Sequence, residues 1–195
     1  NLARTAALRH ANPRYARGPI VELDDADSMT LSHLTTEGGT NGLWIHNASE
    51  TFFGHHISVT RAAQDGIRFE STASGSTLDH VSATANGGHG IHITGSIDHI
   101  FDSDVGFNIG TGIYLSSSGL VQLEGNELHD NRGMGLFLNH MATTQATVGN
   151  PLLTVGRGNI IRENAGTGID ARGNVLVVGN TVSGQRSANT NGIVL

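Results

Sequence analysis

A glycine followed by isoleucine or leucine returns down this chain at nearly fixed intervals. The segments are NGLWI from residue 41, DGIRF from 65, HGIHI from 89, TGIYL from 111, MGLFL from 134, TGIDA from 167 and NGIVL from 191. Their glycines, at 42, 66, 90, 112, 135, 168 and 192, are 24, 24, 22, 23, 33 and 24 residues apart. A period of this length signals stacked repeats, each too small to bury an apolar face by itself. A less regular copy runs ahead of them from Ile20.

The pattern inside each copy decides between helix and strand. Leu43 and Ile45, Ile67 and Phe69, Ile91 and Ile93, Ile113 and Leu115, and Leu136 and Leu138 alternate with residues of another kind. Period two means strands. Stacked one per repeat at the ~4.8 Å inter-strand spacing, such strands make parallel sheets along an axis. A second column, Asn86, Asn108, Asn131 and Asn164, lies four residues before its glycine. Asn and Gly both tolerate positive φ, so this column reads as turns. A further apolar strand precedes it, at Val59, Val105, Leu128 and Ile161. The expected class is all-β, a parallel β-helix of about seven to eight coils. It should occupy residues 19–195, with 1–18, rich in Arg and Ala, as a cap or linker. The chain starts at Asn1 and stops within a strand at Leu195, so it reads as part of a longer protein. Uncapped coils at an end invite end-to-end or oligomeric contacts.

Composition narrows the partners. The 195 residues include 27 Gly and only 14% charged residues, with no G-X-Y period, which excludes collagen and simple disorder. There is no Cys, so neither disulfides nor a thiolate metal site is available. A formal charge of −6 disfavours nucleic acid. No apolar run reaches the ~18 residues of a membrane span.

The motif N-x-G-x-G-[Ile/Leu], present four times from Asn86, Asn108, Asn131 and Asn164, stands with GNELHDN, GRGNIIREN and VVGNTVSG. Together they resemble the right-handed parallel β-helix repeats of the pectate-lyase-like superfamily, over residues 20–195. That resemblance implies the fold; the superfamily holds lyases, hydrolases, epimerases, tailspikes and structural surface proteins. GHGIHITGS from Gly88 is similar to the Gly-His-Gly segment of polygalacturonases, whose His accompanies three aspartates. Here Gln64-Asp65 keeps one of the paired aspartates, Gly39-Thr40-Asn41 stands in place of Asn-Thr-Asp, and TGIYLSSS lacks Arg-Ile-Lys. That active site is therefore not expected.

Residues between the core positions of successive strands point outward and stack. One column reads Trp44, Arg68, His92, Tyr114, Phe137, Asp170, and the next His46, Glu70, Thr94, Ser116, Asn139, Arg172. Aromatic side chains in line suit the C–H faces of an extended sugar polymer, though they also stabilise sheets by packing alone. Trp44, His46, Glu70 and Phe137 are the expected ligand-binding residues. Glycoside hydrolysis needs two carboxyls within ~5 to 9.5 Å. Glu70 and Asp170 stand four rungs apart, ~19 Å, and Asp65 and Glu70 on one strand would be ~16 Å apart. Removal of a proton beside a uronate carboxylate is better served: Arg68 would clamp the carboxylate, His92 act as base and Tyr114 as acid.

No metal ligand set is expected. His89 and His92, three apart, would face opposite ways on a strand, but His89 opens its strand at a turn, which leaves its direction open, and a two-His zinc site lacks a nameable third ligand. His55-His56, Asp79-His80 and Asp98-His99 read as solvated faces. Calcium is the one cofactor in view, at Asp24-Asp25-Ala26-Asp27. Two roles follow: a secreted or cell-surface module offering a carbohydrate-contacting or adhesive face, and a polysaccharide-active enzyme, uronan lyase or epimerase before glycoside hydrolase.

Overall fold

The repeat closes into a parallel coil. A computed structural model describes residues 18–25, 28–48, 51–70, 74–117, 121–141, 145–149, 158–188 and 190–195. The expected cap over 1–18 lies outside them except for Gly18, and two residues of the proposed calcium run, 26 and 27, also lie outside.

One face of the coil is a parallel sheet of eight strands: Val21–Asp24, Leu43–His46, Ile67–Glu70, Ile91–Ile93, Ile113–Ser117, Leu136–His140, Ile169–Gly173 and Ile193–Val194. Its register is the alternation read from the repeat, with Ile67 beside Leu43 and Ile91, and Phe69 beside Ile45 and Ile93. These side chains are fully buried. Each such residue contributes about 1.5–3 kcal/mol by leaving water, which the stack multiplies rung by rung.

The rest of each coil supplies two more faces. Leu31, Gly54, Leu78, Ile100, Leu123 and Val148 succeed one another on the second. Val105, Leu128, Ile161 and Val182 do so on the third. Met29–Glu37 and Phe52–Thr60 pass through the corner between them without a break. Later coils divide there, as Thr77–Asp79 and Ser82–Thr84 both pair with Phe52–Thr60. The corner is made by left-handed residues in successive rungs: His33, His56, His80 and Asp102, with φ of 54°, 53°, 51° and 46°. The coil after Met134 includes 150–157, which lie outside the described residues; Ala146–Gly149 before them is an ordinary rung.

The asparagines do a different job from the one expected. Asn86, Asn108, Asn131 and Asn164 are buried and do not have positive φ; the residue before each, Ala85, Phe107, Asp130 or Glu163, carries the left-handed turn. Each Asn Oδ1 accepts from the preceding rung. Asn108 Oδ1 takes the backbone N–H and the Nδ2 of Asn86, Asn131 Oδ1 those of Asn108, and Asn164 Oδ1 those of Asn131. A second ladder runs through Asn126, Asn159 and Asn180 in the same way. Buried backbone groups must be paired, and an amide that both accepts and donates satisfies a turn that no strand partner reaches. The glycine two residues after each Asn is needed for close approach. A Cβ on Gly110 would lie 2.8 Å from the carbonyl of Gly88, and one on Gly133 2.7 Å from that of Gly110.

Candidate functional site

The corner where the third face returns to the eight-stranded sheet gathers several reactive side chains. The residue before each repeat glycine sits there in register: Asn41, Asp65, His89 and Thr111. Each of the first three accepts the backbone N–H of the next. Asn41 Oδ1 takes Asp65 N–H at 3.2 Å, Asp65 Oδ1 takes His89 N–H at 2.9 Å, and His89 Nδ1 takes Thr111 N–H at 3.0 Å. A side-chain acceptor is required because these turn amides have no strand partner.

Asp65 has a second oxygen to spend. Its Oδ2 lies 2.7 Å from His92 Nδ1 and 3.7 Å from Arg68 Nη1. His92 projects outward between Ile91 and Ile93, in register with Arg68 before it and Tyr114 after it. The rings of His89, His92 and Tyr114 lie 5.0 Å from one another, and Tyr114 stacks on Phe137 at 4.8 Å. Beyond Phe137, the Arg172 guanidinium sits over the ring while binding Asp170 through two nitrogens.

Arg68 is already engaged. Its Nε and Nη2 both donate to Glu70 Oε1, at 2.9 and 2.6 Å, and Glu70 Oε2 accepts from Trp44 Nε1 at 2.8 Å. Residues i and i+2 share a strand face, which is why the pair forms. His46 stands in register with Glu70, but its ring turns to Glu22 and Asp24, at 3.0 and 3.2 Å, and packs on Trp44. Of the expected site residues, Arg68, His92 and Tyr114 are thus contiguous. Phe137 extends them, and Trp44 and Glu70 brace Arg68. His46 belongs to a separate acidic group.

Comparison with known proteins agrees with this architecture. The family model described as right handed beta helix region matches residues 19–182. The chain belongs to the right-handed β-helix family. Among solved structures, this β-helix is similar to one titled "Crystal structure of pectate lyase Pel9A", with a TM-score of 0.65 and 14% sequence identity. The match covers 91% of this chain and 57% of that one. No curated protein matches the sequence.

The turns before Ile67 and Ile91 decide one open direction and correct one separation. His89 and His92 do not face opposite ways: the strand begins only at Ile91, and His89, in the turn, folds onto the same side. Asp65 likewise precedes its strand, which begins at Ile67, so the ~16 Å extended-strand separation from Glu70 does not hold; one guanidinium touches both carboxylates. Asp65 and His89 are therefore the functional candidates that residue patterning missed. Their signal was the polar series Asn, Asp, His before successive glycines.

The charge states narrow the chemistry of this β-helix site. Burial of Asp65 opposes its ionisation, yet the hydrogen bonds from His92 and from the His89 backbone outweigh it, so its carboxyl lies below the usual range. Glu70 is lowered by the Arg68 hydrogen bonds, against burial, with help from Trp44. Both are carboxylates at neutral pH. A glycosidase needs one raised, protonated carboxyl, so this pair does not serve as its acid and base. His89 is lowered by burial, only partly offset by the Asp65 charge. Because Thr111 N–H occupies Nδ1, neutral His89 carries its proton on Nε2 and is a donor. Asp65, His89 and His92 offer ligand atoms within 4.8 Å of one another. Yet a ligating histidine donates through its other nitrogen, and His89 Nδ1 is an acceptor, so this trio is poorly arranged for a metal.

The lowered His89 pKa sets a pH dependence. The unfolded state binds more protons than the folded one below about pH 6.5, so the stability gained by keeping His89 neutral is present above that value. It is lost as pH falls toward the folded pKa. His89→Asn keeps an acceptor for Thr111, as Asn41 does two rungs earlier. The variant is expected to fold and to show a shallower decline of urea midpoint between about pH 7.5 and 5.5 than the parent. An unchanged slope would refute the assignment.

Proposed function

We propose that this chain is the coil stack of an enzyme acting on an acidic polysaccharide, by removing the proton on the carbon beside a uronate carboxyl group. The observation that carries this reading is the pair formed by buried Asp65 and His92. With its Nδ1–H given to Asp65, His92 keeps a lone pair on Nε2 as the base. The neutral His89 Nε2–H and the Tyr114 hydroxyl are donors close by for the charge that develops on the carboxylate, or for the departing oxygen. Arg68 presents Nη1 to the substrate carboxylate, shared with Asp65 Oδ2 at 3.7 Å, while its other nitrogens are held by Glu70. Elimination across the ring makes the enzyme a lyase; return of the proton to the opposite face makes it an epimerase. The fold likeness to a pectate lyase supports the polymer as substrate, and such a polymer implies a secreted or cell-surface protein.

Both outcomes begin with loss of the C5 proton and differ in what is measured. Incubation with polygalacturonate, alginate and glycosaminoglycan uronans in D2O should, for at least one of them, place deuterium at C5 if the proton is returned, or give an unsaturated product with new absorbance near 235 nm if elimination follows. The stacked Tyr114, Phe137 and Arg172 favour a second reading, a non-catalytic carbohydrate-contacting face. Retention on a glycan array with neither C5 exchange nor new absorbance near 235 nm in any uronan would select it.

A further inference from the structure

We propose that the corner between the second and third faces binds a divalent transition metal ion through Asp79, His80 and Asp102, with His56 on the rung before. This corner is separate from the His92 site, and the inference does not depend on the uronate reading.

The left-handed residues of the corner create the donor set. On an extended strand, neighbours such as His55 and His56, or Asp79 and His80, point to opposite faces. A positive φ at His56 and at His80 breaks that alternation and brings both members of each pair to one side. His55 Nδ1 and His56 Nδ1 lie 3.0 Å apart, and Asp79 Oδ1 and His80 Nδ1 2.8 Å apart. Two donors that each sit ~2.1 Å from one ion are about 3 Å apart when they subtend a right angle. The second pair therefore already has the spacing of a chelate.

Stacking of the coils adds the remaining donors. His55 is in register with Asp79. The imidazoles of His33, His56 and His80 form a column, 5.0 and 5.1 Å between centres and within 4° and 9° of parallel. The next rung places Asp102 at the same left-handed position. Its carboxylate fits because the following corner residue is Gly125, where a Cβ would lie 2.3 Å from Asp102 Oδ1. Ligand atoms of Asp79, His80 and Asp102 all fall within 4.8 Å of one another, a gap that small side-chain rotations close.

The chemistry selects the ion. Two carboxylates with one or two imidazoles form a mixed oxygen and nitrogen set suited to Zn2+, Co2+ or Ni2+, whereas Ca2+ and Mg2+ take oxygen donors. The ion would tie the coil bearing Asp79 and His80 to the coil bearing Asp102, fastening a corner that has no continuous strand. The sequence shows the donors only as two adjacent pairs and a distant Asp; the left-handed kinks assemble them.

Titration of the chelator-treated protein with Zn2+ alone, followed by calorimetry, should show one site per chain. Co2+ should give the visible absorption of an ion bound by imidazole. His80→Asn, in which Asn tolerates the left-handed backbone, and Asp102→Asn should each weaken Zn2+ binding at least tenfold, with far-UV circular dichroism unchanged. His89→Asn should leave the affinity as it was. Absence of binding at millimolar Zn2+, or equal affinity in the two corner variants and the parent, would overturn the proposal. Should His80→Asn fail to fold, Asp102→Asn decides alone. Loss of Zn2+ binding in His89→Asn with retention in Asp102→Asn would move the ion to the Asp65 corner and equally overturn it.

Discussion

Replacement of His92 by glutamine is expected to lower kcat on the uronan that is exchanged at C5 or eliminated by about 10²–10⁴-fold, the usual contribution of a positioned base. Glutamine keeps a donor for Asp65 Oδ2, which His92 Nδ1 approaches at 2.7 Å, and so leaves the buried carboxylate partnered. The loss would then report chemistry and not unfolding. Asp65→Asn is expected to act through His92. The amide oxygen can still cap His89 N–H, as Asn41 caps Asp65 N–H one rung earlier. Its NH2 would face Nδ1 and drive the imidazole proton to Nε2, where it blocks the base. A comparable fall in kcat with KM changed by no more than about twofold distinguishes this positioning role from a damaged binding face. If both variants keep activity within about threefold of the parent, Asp65 and His92 brace the turn, and the base lies elsewhere.

Removal of a ladder amide should have the largest effect on stability. Asn131 Oδ1 accepts two hydrogen bonds from Asn108, and its Nδ2 donates to Val105 O and Asn164 Oδ1. Alanine would leave buried backbone and side-chain groups on two rungs without partners. At about 1–3 kcal/mol for each unsatisfied buried group, after partial rearrangement, the expected loss is about 3–5 kcal/mol. That is a large share of the stability of an ordinary domain. It should appear as a lower urea midpoint with an unchanged slope. Asn180→Ala, on a partly exposed rung, should cost less. A loss below about 1 kcal/mol for Asn131→Ala would mean that water enters the turn and replaces the amide.

The glycine period and the alternation of Ile and Leu were enough to read the eight-stranded face, because a buried rung must repeat both the close approach and the apolar pair. The corners were not legible in the same way. Positive φ falls on His33, His56, His80, Ala85, Phe107 and Asp130, a mixed set that no single turn signature marks. The asparagines that announced a turn are one residue past it. Site residues on the strand, Arg68, His92 and Tyr114, followed from alternation, whereas Asp65 and His89 required the path of the turn. The Arg68–Glu70 pair could have been anticipated from its i, i+2 spacing. It shows that an outward arginine in a rung is first a partner for its own strand.

The asparagine ladders have one more property. In each column every amide but the last donates its Nδ2 to the Oδ1 of the Asn on the next coil. The carbonyl groups therefore form aligned dipoles that polarise one another along the axis. Such a column has a head and a tail, so each coil that carries the amide extends it only in the same sense, and the stack inherits a polarity that its parallel strands alone do not give to side chains.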